Sequence, residues 1–239
     1  MNASLLSEKT KFFSYGWCIL GIIGAIIVPL LFLLTSNTPR IGGEEEMISL
    51  SLQALYLGQL GIIVASSSYF GQEYTHSVLR TTLLTKPSRL KLLGAKFVNI
   101  TSITVFTGIV SCAVGLAVLS FQYDMEWNVS FTIKLLGSIS QGILSWILLA
   151  WITSSLSIMA KSLITPIAIM LPLILGLSLM LFEIFQLAKY LPTLATMNLY
   201  LKPTVSIYLD KGFGLAVQFA WAILLVAIST WLFLYRNVR

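Results

Sequence analysis

Charge is scarce in this chain. Of its 239 residues only 10% are Asp, Glu, Lys or Arg, and the single histidine is His76. A soluble domain carries roughly a quarter of its residues as charges, so a water-facing globule is excluded. Catalytic patterns are missing too: there is no His-Glu-x-x-His, no Cys-x-x-Cys and no Gly-x-Ser-x-Gly. No catalytic or metal-ligating residue is therefore assigned, and an intramembrane enzyme is disfavoured. No glycine is directly followed by lysine, which removes the phosphate-wrapping P-loop. The chain is expected to bind no cofactor itself. Its two cysteines, Cys18 and Cys112, lie in apolar stretches where burial of a small thiol accounts for them.

What is present is hydrocarbon. The sequence is 57% hydrophobic, and its apolar residues fall in long runs rather than at amphipathic spacing. A helix needs about 20 apolar residues to cross a bilayer core of about 30 Å. Six stretches qualify: Tyr15 to Leu34, Ser49 to Phe70, Phe97 to Ser120, Leu135 to Ser157, Leu163 to Phe182 and Phe213 to Tyr235. They are too long and too rich in Leu and Ile for outer-membrane strands. The expected fold is all-α, a polytopic membrane protein whose residues 1–239 form one transmembrane domain with no separate soluble module. Lys9 and Lys11 precede the first run, but Thr35 to Arg40 offers no small-x-small cleavage site, so that run reads as an uncleaved anchor.

Orientation follows from the basic residues at the span ends. With both termini in the cytosol, Lys9, Lys11, Arg80, Lys86, Arg89, Lys91, Lys96, Lys161, Arg236 and Arg239 lie inside, against Arg40, Lys134, Lys189, Lys202 and Lys211 outside. Of the acids, only Glu8 and Glu73 fall inside. The net charge of +6 thus faces an anionic inner leaflet and gives no sign of nucleic-acid binding. The polar loop 71–96 between the second and third spans is the largest cytosolic segment, and so the expected meeting place with another protein.

The span centres hold no Asp, Glu, Lys, Arg or His. Ion-coupled carriers and proton relays place such groups there, so secondary transport is disfavoured. The spans carry packing features instead. Ala54, Gly58, Gly61 and Ala65 put four small residues on one face of the second span, allowing close approach of another backbone, in the same chain or in a second copy. Gly137, Gln141 and Ser145 share a face of the fourth. Gln53, Gln59 and Gln141 are amides in apolar surroundings, expected to bond between helices or, on a sharper reading, to line a substrate route together with Glu183 at the outer end of the fifth span. Pro29, Pro166 and Pro172 are expected to kink the first and fifth spans. The outer segment 183–211 is rich in Leu, Tyr, Phe and Met and is expected either to dip back into the outer leaflet or to lie on its surface, anchored by Tyr190, Tyr200 and Tyr208 in the aromatic belt.

The run Glu73-Tyr74-Thr75-His76-Ser77-Val78-Leu79-Arg80, continuing through Leu84, Lys86, Pro87, Ser88 and Arg89 to Lys96, resembles the intracellular signature of type-2 ABC exporter permeases. Glu73, Ser77, Arg80, Leu84, Pro87, Arg89 and Lys96 fill the positions of that pattern, while His76 stands where the family often has glycine. The resemblance implies a coupling helix, here Glu73 through Leu84, that seats in an ATPase subunit through Glu73, Tyr74, Ser77, Val78, Arg80 and Arg89. Pro87 is expected to stop it and Ser88 to cap a following helix, with Arg89, Lys91 and Lys96 near phosphate headgroups. The implied assembly contains ABC ATPase subunits carrying ATP and Mg, and a second permease, identical or related. The small size and minimal outer loops are similar to bacterial peptide exporters and lantibiotic-immunity transporters of the cell membrane. Lipid, drug or sodium export is the alternative within that class. Outside it stands a non-transporting scaffold or sensor partner.

Overall fold

The computed structural model describes residues 2–36, 44–75, 88–122 and 128–235, with side chains from Leu6 onward. Among these residues there are helices and turns but no strands. Six helices are long and apolar enough to cross a membrane: Gly16–Thr35, Glu44–Tyr74, Arg89–Gln122, Val129–Ala160, Ile164–Ile184 and Lys211–Tyr235. The chain is a multi-pass, all-α membrane protein. Its third span has 34 residues and is about 51 Å long at 1.5 Å per residue, some 20 Å more than the hydrocarbon core. That excess leaves room for the polar stretch Arg89 to Lys96 at its start to be helical beyond the apolar layer.

A helix that hydropathy does not signal precedes the first span, Asn2–Ser14. It buries Glu8 and Phe12 one turn apart and leaves Leu6, Lys9 and Phe13 exposed. The second and fourth spans form the centre of the bundle. Ala54, Gly58, Gly61 and Ala65 are all buried, and they face partners in the same chain. A methyl on Gly61 would stand 2.2 Å from the Ala25 nitrogen and 2.3 Å from the Gly21 oxygen, and one on Gly58 would meet the Trp146 ring at 2.5 Å. The indole nitrogen of Trp146 also donates to the Leu55 carbonyl at 3.1 Å. Nearer the N-terminal end of the bundle a seam of small hydroxyls joins the same two spans: Ser67 lies 3.1 Å from Ser157 and donates to the Leu163 carbonyl at 2.7 Å.

The prolines act in different ways. Pro29 cannot donate to the Ala25 carbonyl four residues earlier, and Ser111 of the third span does so instead, at 3.1 Å. Pro166 does not kink its span. It occupies the first turn of the helix Ile164–Pro172, where an N–H lacks an intrahelical partner anyway, and the Ser162 hydroxyl accepts from the Ile164 and Thr165 amides instead. The break in the fifth span comes after Pro172, in the π-turn Leu173–Leu177, where Gly176 has φ of 128°. The left-handed region suits glycine alone at low cost. The Tyr56 hydroxyl donates to the Ile174 carbonyl in this turn at 2.7 Å.

The segment 183–211 folds as a 3-10 turn, Gln186–Tyr190, and a short helix, Met197–Tyr200. Leu194, Ala195, Leu199 and Tyr200 are buried. Tyr200 does not belong to an aromatic belt: its ring packs edge-on to Tyr56 at 5.5 Å and its hydroxyl donates to the Gly142 carbonyl at 3.3 Å. Gly142 lies 13 residues, roughly 20 Å, from the start of the fourth span Val129–Ala160. The segment thus penetrates the bundle rather than resting on it. Asn198 holds its returning strand of chain by donating to the Val205 carbonyl and accepting from the Val205 amide, both at 2.9 Å.

Candidate functional site: a charged junction at the base of the polar loop

At one end of the bundle the N-terminal helix, the end of the second span and the start of the third converge on four charges. The Lys96 ammonium lies 3.0 Å from a Glu73 oxygen and 3.4 Å from a Glu8 oxygen, and Lys11 pairs with the same Glu73 oxygen. Glu8, Glu73 and Lys96 are each no more than 3% exposed. Isolated, any one of them would be costly so far from water; two carboxylates facing two ammonium groups compensate one another. Neutral groups complete the network. The Tyr69 hydroxyl donates to Glu8 and accepts from the Asn99 amide, each at 3.1 Å, and Lys96 stands 4.1 Å above the Tyr69 ring centroid. Beside this network, the Arg89 guanidinium donates to the Phe233 and Leu234 carbonyls at 3.3 and 2.9 Å. Those are the last carbonyls of the sixth span, which lack helical donors and carry the negative end of its dipole.

The junction revises several expectations. Lys96 does not approach phosphate headgroups but is enclosed between two acids. Arg89 is tied to the end of the sixth span, and Lys91 is exposed. Gln72–Tyr74 closes the second span as a 3-10 turn, and Thr75 is extended, with φ −85° and ψ 137°, so no continuous helix runs from Glu73 through Thr75. Ser88 accepts from the Leu92 amide through its carbonyl at 3.1 Å, immediately before the third span. Tyr74 is half-buried. Ser77, Val78 and Arg80, expected to touch an ATPase subunit, lie outside the described residues, as do His76 and Pro87.

The four residues proposed for a substrate route sit in different surroundings. Gln59 is buried beside the Tyr200 hydroxyl, and Gln53, half-buried, donates to Ser49 in its own helix at 3.1 Å. Gln141 and Glu183 are exposed. Neither a narrow cavity between Pro29, Ala54 and Ser111 nor a larger groove beside the N-terminal helix is lined by any of the four. Sequence reasoning missed Glu8 and Lys11 as site residues. Their signal was present in the helical i, i+3, i+4 spacing of Glu8, Lys11 and Phe12 ahead of the first span, on a segment that hydropathy does not mark.

The profile of the family described as ABC-2 family transporter protein matches residues 5–178. That match takes in most of the N-terminal helix, the first four spans, most of the fifth and all four charges of the junction. The chain belongs to the ABC-2 transporter family. No curated protein and no solved structure matches it significantly. ABC-2 permeases are the membrane subunits of their transporters, so membership implies pairing with an ABC ATPase subunit and a place in the cell membrane.

Proposed function

We propose that this chain is the permease of an ATP-driven exporter that moves amphipathic peptides, or similarly hydrophobic molecules, out of the cell or its membrane. Both termini and the loop 71–96 face the cytosol in this reading. ATP and Mg are held by the ATPase subunits, and a second permease, identical or related, completes the assembly. The observation that carries the proposal is the charged junction within a chain of the ABC-2 family. It clamps the two ends of loop 71–96, at Glu73 and Lys96, to each other and to the N-terminal helix. A push on the loop from an ATPase would reach the second and third spans as one rigid displacement, because breaking the junction would strand a buried charge. The charge-free span centres fit energy drawn from ATP rather than from an ion gradient.

Proteoliposomes containing the chain and its ATPase test this with an amphipathic cationic peptide as cargo. ATP, but neither a non-hydrolysable analogue nor an imposed ion gradient, is expected to drive export. Val78→Asp is expected to abolish ATPase co-purification while membrane insertion persists. Transport by this chain alone under a proton or sodium gradient, lost in Glu183→Gln, would overturn the reading.

A further inference from the structure

Beside the junction, the N-terminal helix and the first and third spans enclose an open groove of about 490 Å³. Its volume falls in the range of small-ligand sites. Along the third span its wall is mixed: Val98, Asn99 and Ser102 lie nearest the charged junction, and Ile103, Phe106 and Thr107 follow about one turn further along. Ile22 of the first span lines the groove too. Lys9 lines it from the N-terminal helix, between Leu6 and Phe13.

The lysines of this region are not equivalent. Lys11 and Lys96 are paired with Glu73 and Glu8, whereas Lys9 is exposed and forms no ion pair among the described residues. A cation with no ion pair among the described residues, beside the apolar Ile22, Ile103 and Phe106, complements an amphiphile with an anionic head. The bilayer supplies such molecules at high local concentration, and basic residues at span ends favour its acidic lipids.

We propose that this groove binds an acidic phospholipid, with its phosphate on Lys9 and an acyl chain laid along Ile22, Ile103 and Phe106. Bound there, the lipid bridges the N-terminal helix and the third span beside the Glu8–Lys96 pair. The site is independent of what the transporter exports.

Native mass spectrometry of the purified chain, offered phosphatidylglycerol or phosphatidylcholine with matched acyl chains, tests the site. The wild type is expected to retain phosphatidylglycerol about fivefold better, the worth of one lysine at a charged surface. Lys9→Gln is expected to erase that preference, and Lys134→Gln, an exposed lysine at the other end of the bundle, to leave it intact. Phe106→Glu is expected to cut retention of both lipids, with an unchanged melting temperature as the control for folding. Equal retention of the two lipids by the wild type, or a preference that survives Lys9→Gln, would overturn the assignment. So would efficient cross-linking of two copies through Phe106→Cys, because a second permease would then fill the groove.

Discussion

Lys96 shows how much one position can matter in a chain with so few charges. Its ammonium serves Glu8 and Glu73 together and is covered by the Tyr69 ring. Removing it leaves two carboxylates buried with Lys11 as their remaining cation among the described residues. Lys96→Met is therefore expected to destabilise the protein by roughly 3–5 kcal/mol, the usual cost of breaking a buried pair from one side. Thermal unfolding in detergent measures this directly. The exposed Lys9 provides the contrast, since in detergent free of added lipid Lys9→Gln should leave the melting temperature where it was. A Lys96→Met protein that melts with the wild type would mean that water reaches the junction.

The element scale concerns how spans tolerate what isolated helices do not. Pro29 leaves the Ala25 carbonyl without its helical donor, and Ser111 supplies one from the neighbouring span. Ser111→Ala alone is expected to cost about 1 kcal/mol, the net value of a hydrogen bond. In a Pro29→Ala background the helix can donate its own N–H, so the same substitution should cost much less. A double-mutant cycle on unfolding midpoints reads the difference, and strict additivity would show that Ser111 does not compensate for Pro29. Gly61 is constrained more tightly. Its missing side chain is the space taken by the Ala25 backbone, which cannot rotate away as a side-chain tip could. Gly61→Val is expected to lower stability by 1–3 kcal/mol or more, through overpacking, and to loosen the first span from the second. Limited proteolysis between these spans reports the loosening.

At the scale of the molecule, the N-terminal helix, the polar loop's two ends and the end of the sixth span share one face of the bundle. The segment 183–211 enters from the other, where Ser49 donates to the Lys202 carbonyl at 3.1 Å. Which face meets the cytosol is then a matter of charge. The excess of Lys and Arg on the junction side predicts that a cysteine at Ser88 is labelled only from the cytosol and one at Glu45 only from outside. The native thiols give little background, because Cys18 is fully buried and Cys112 partly so. Labelling of both introduced cysteines from one side would contradict the span order itself.

Hydropathy alone determined the class, the number of spans and their approximate limits, since every residue in a 30 Å hydrocarbon layer answers to the same local requirement. The stripe from Ala54 to Ala65 was legible for the same reason, as small residues at helical spacing have few other uses in a membrane. Span ends were less legible, because helices such as Arg89–Gln122 outrun the apolar layer that marks them. Only the tertiary structure decided that Glu8 pairs with Lys96 across 88 positions, or that Tyr200 turns inward to Tyr56. It alone decided that Lys9, two residues from a paired lysine, is left facing a groove. Such outcomes depend on where helices cross and how they are rotated about their axes. A one-dimensional pattern of apolar runs fixes depth in the membrane, but it leaves rotation and crossing to the packing of side chains distant in sequence.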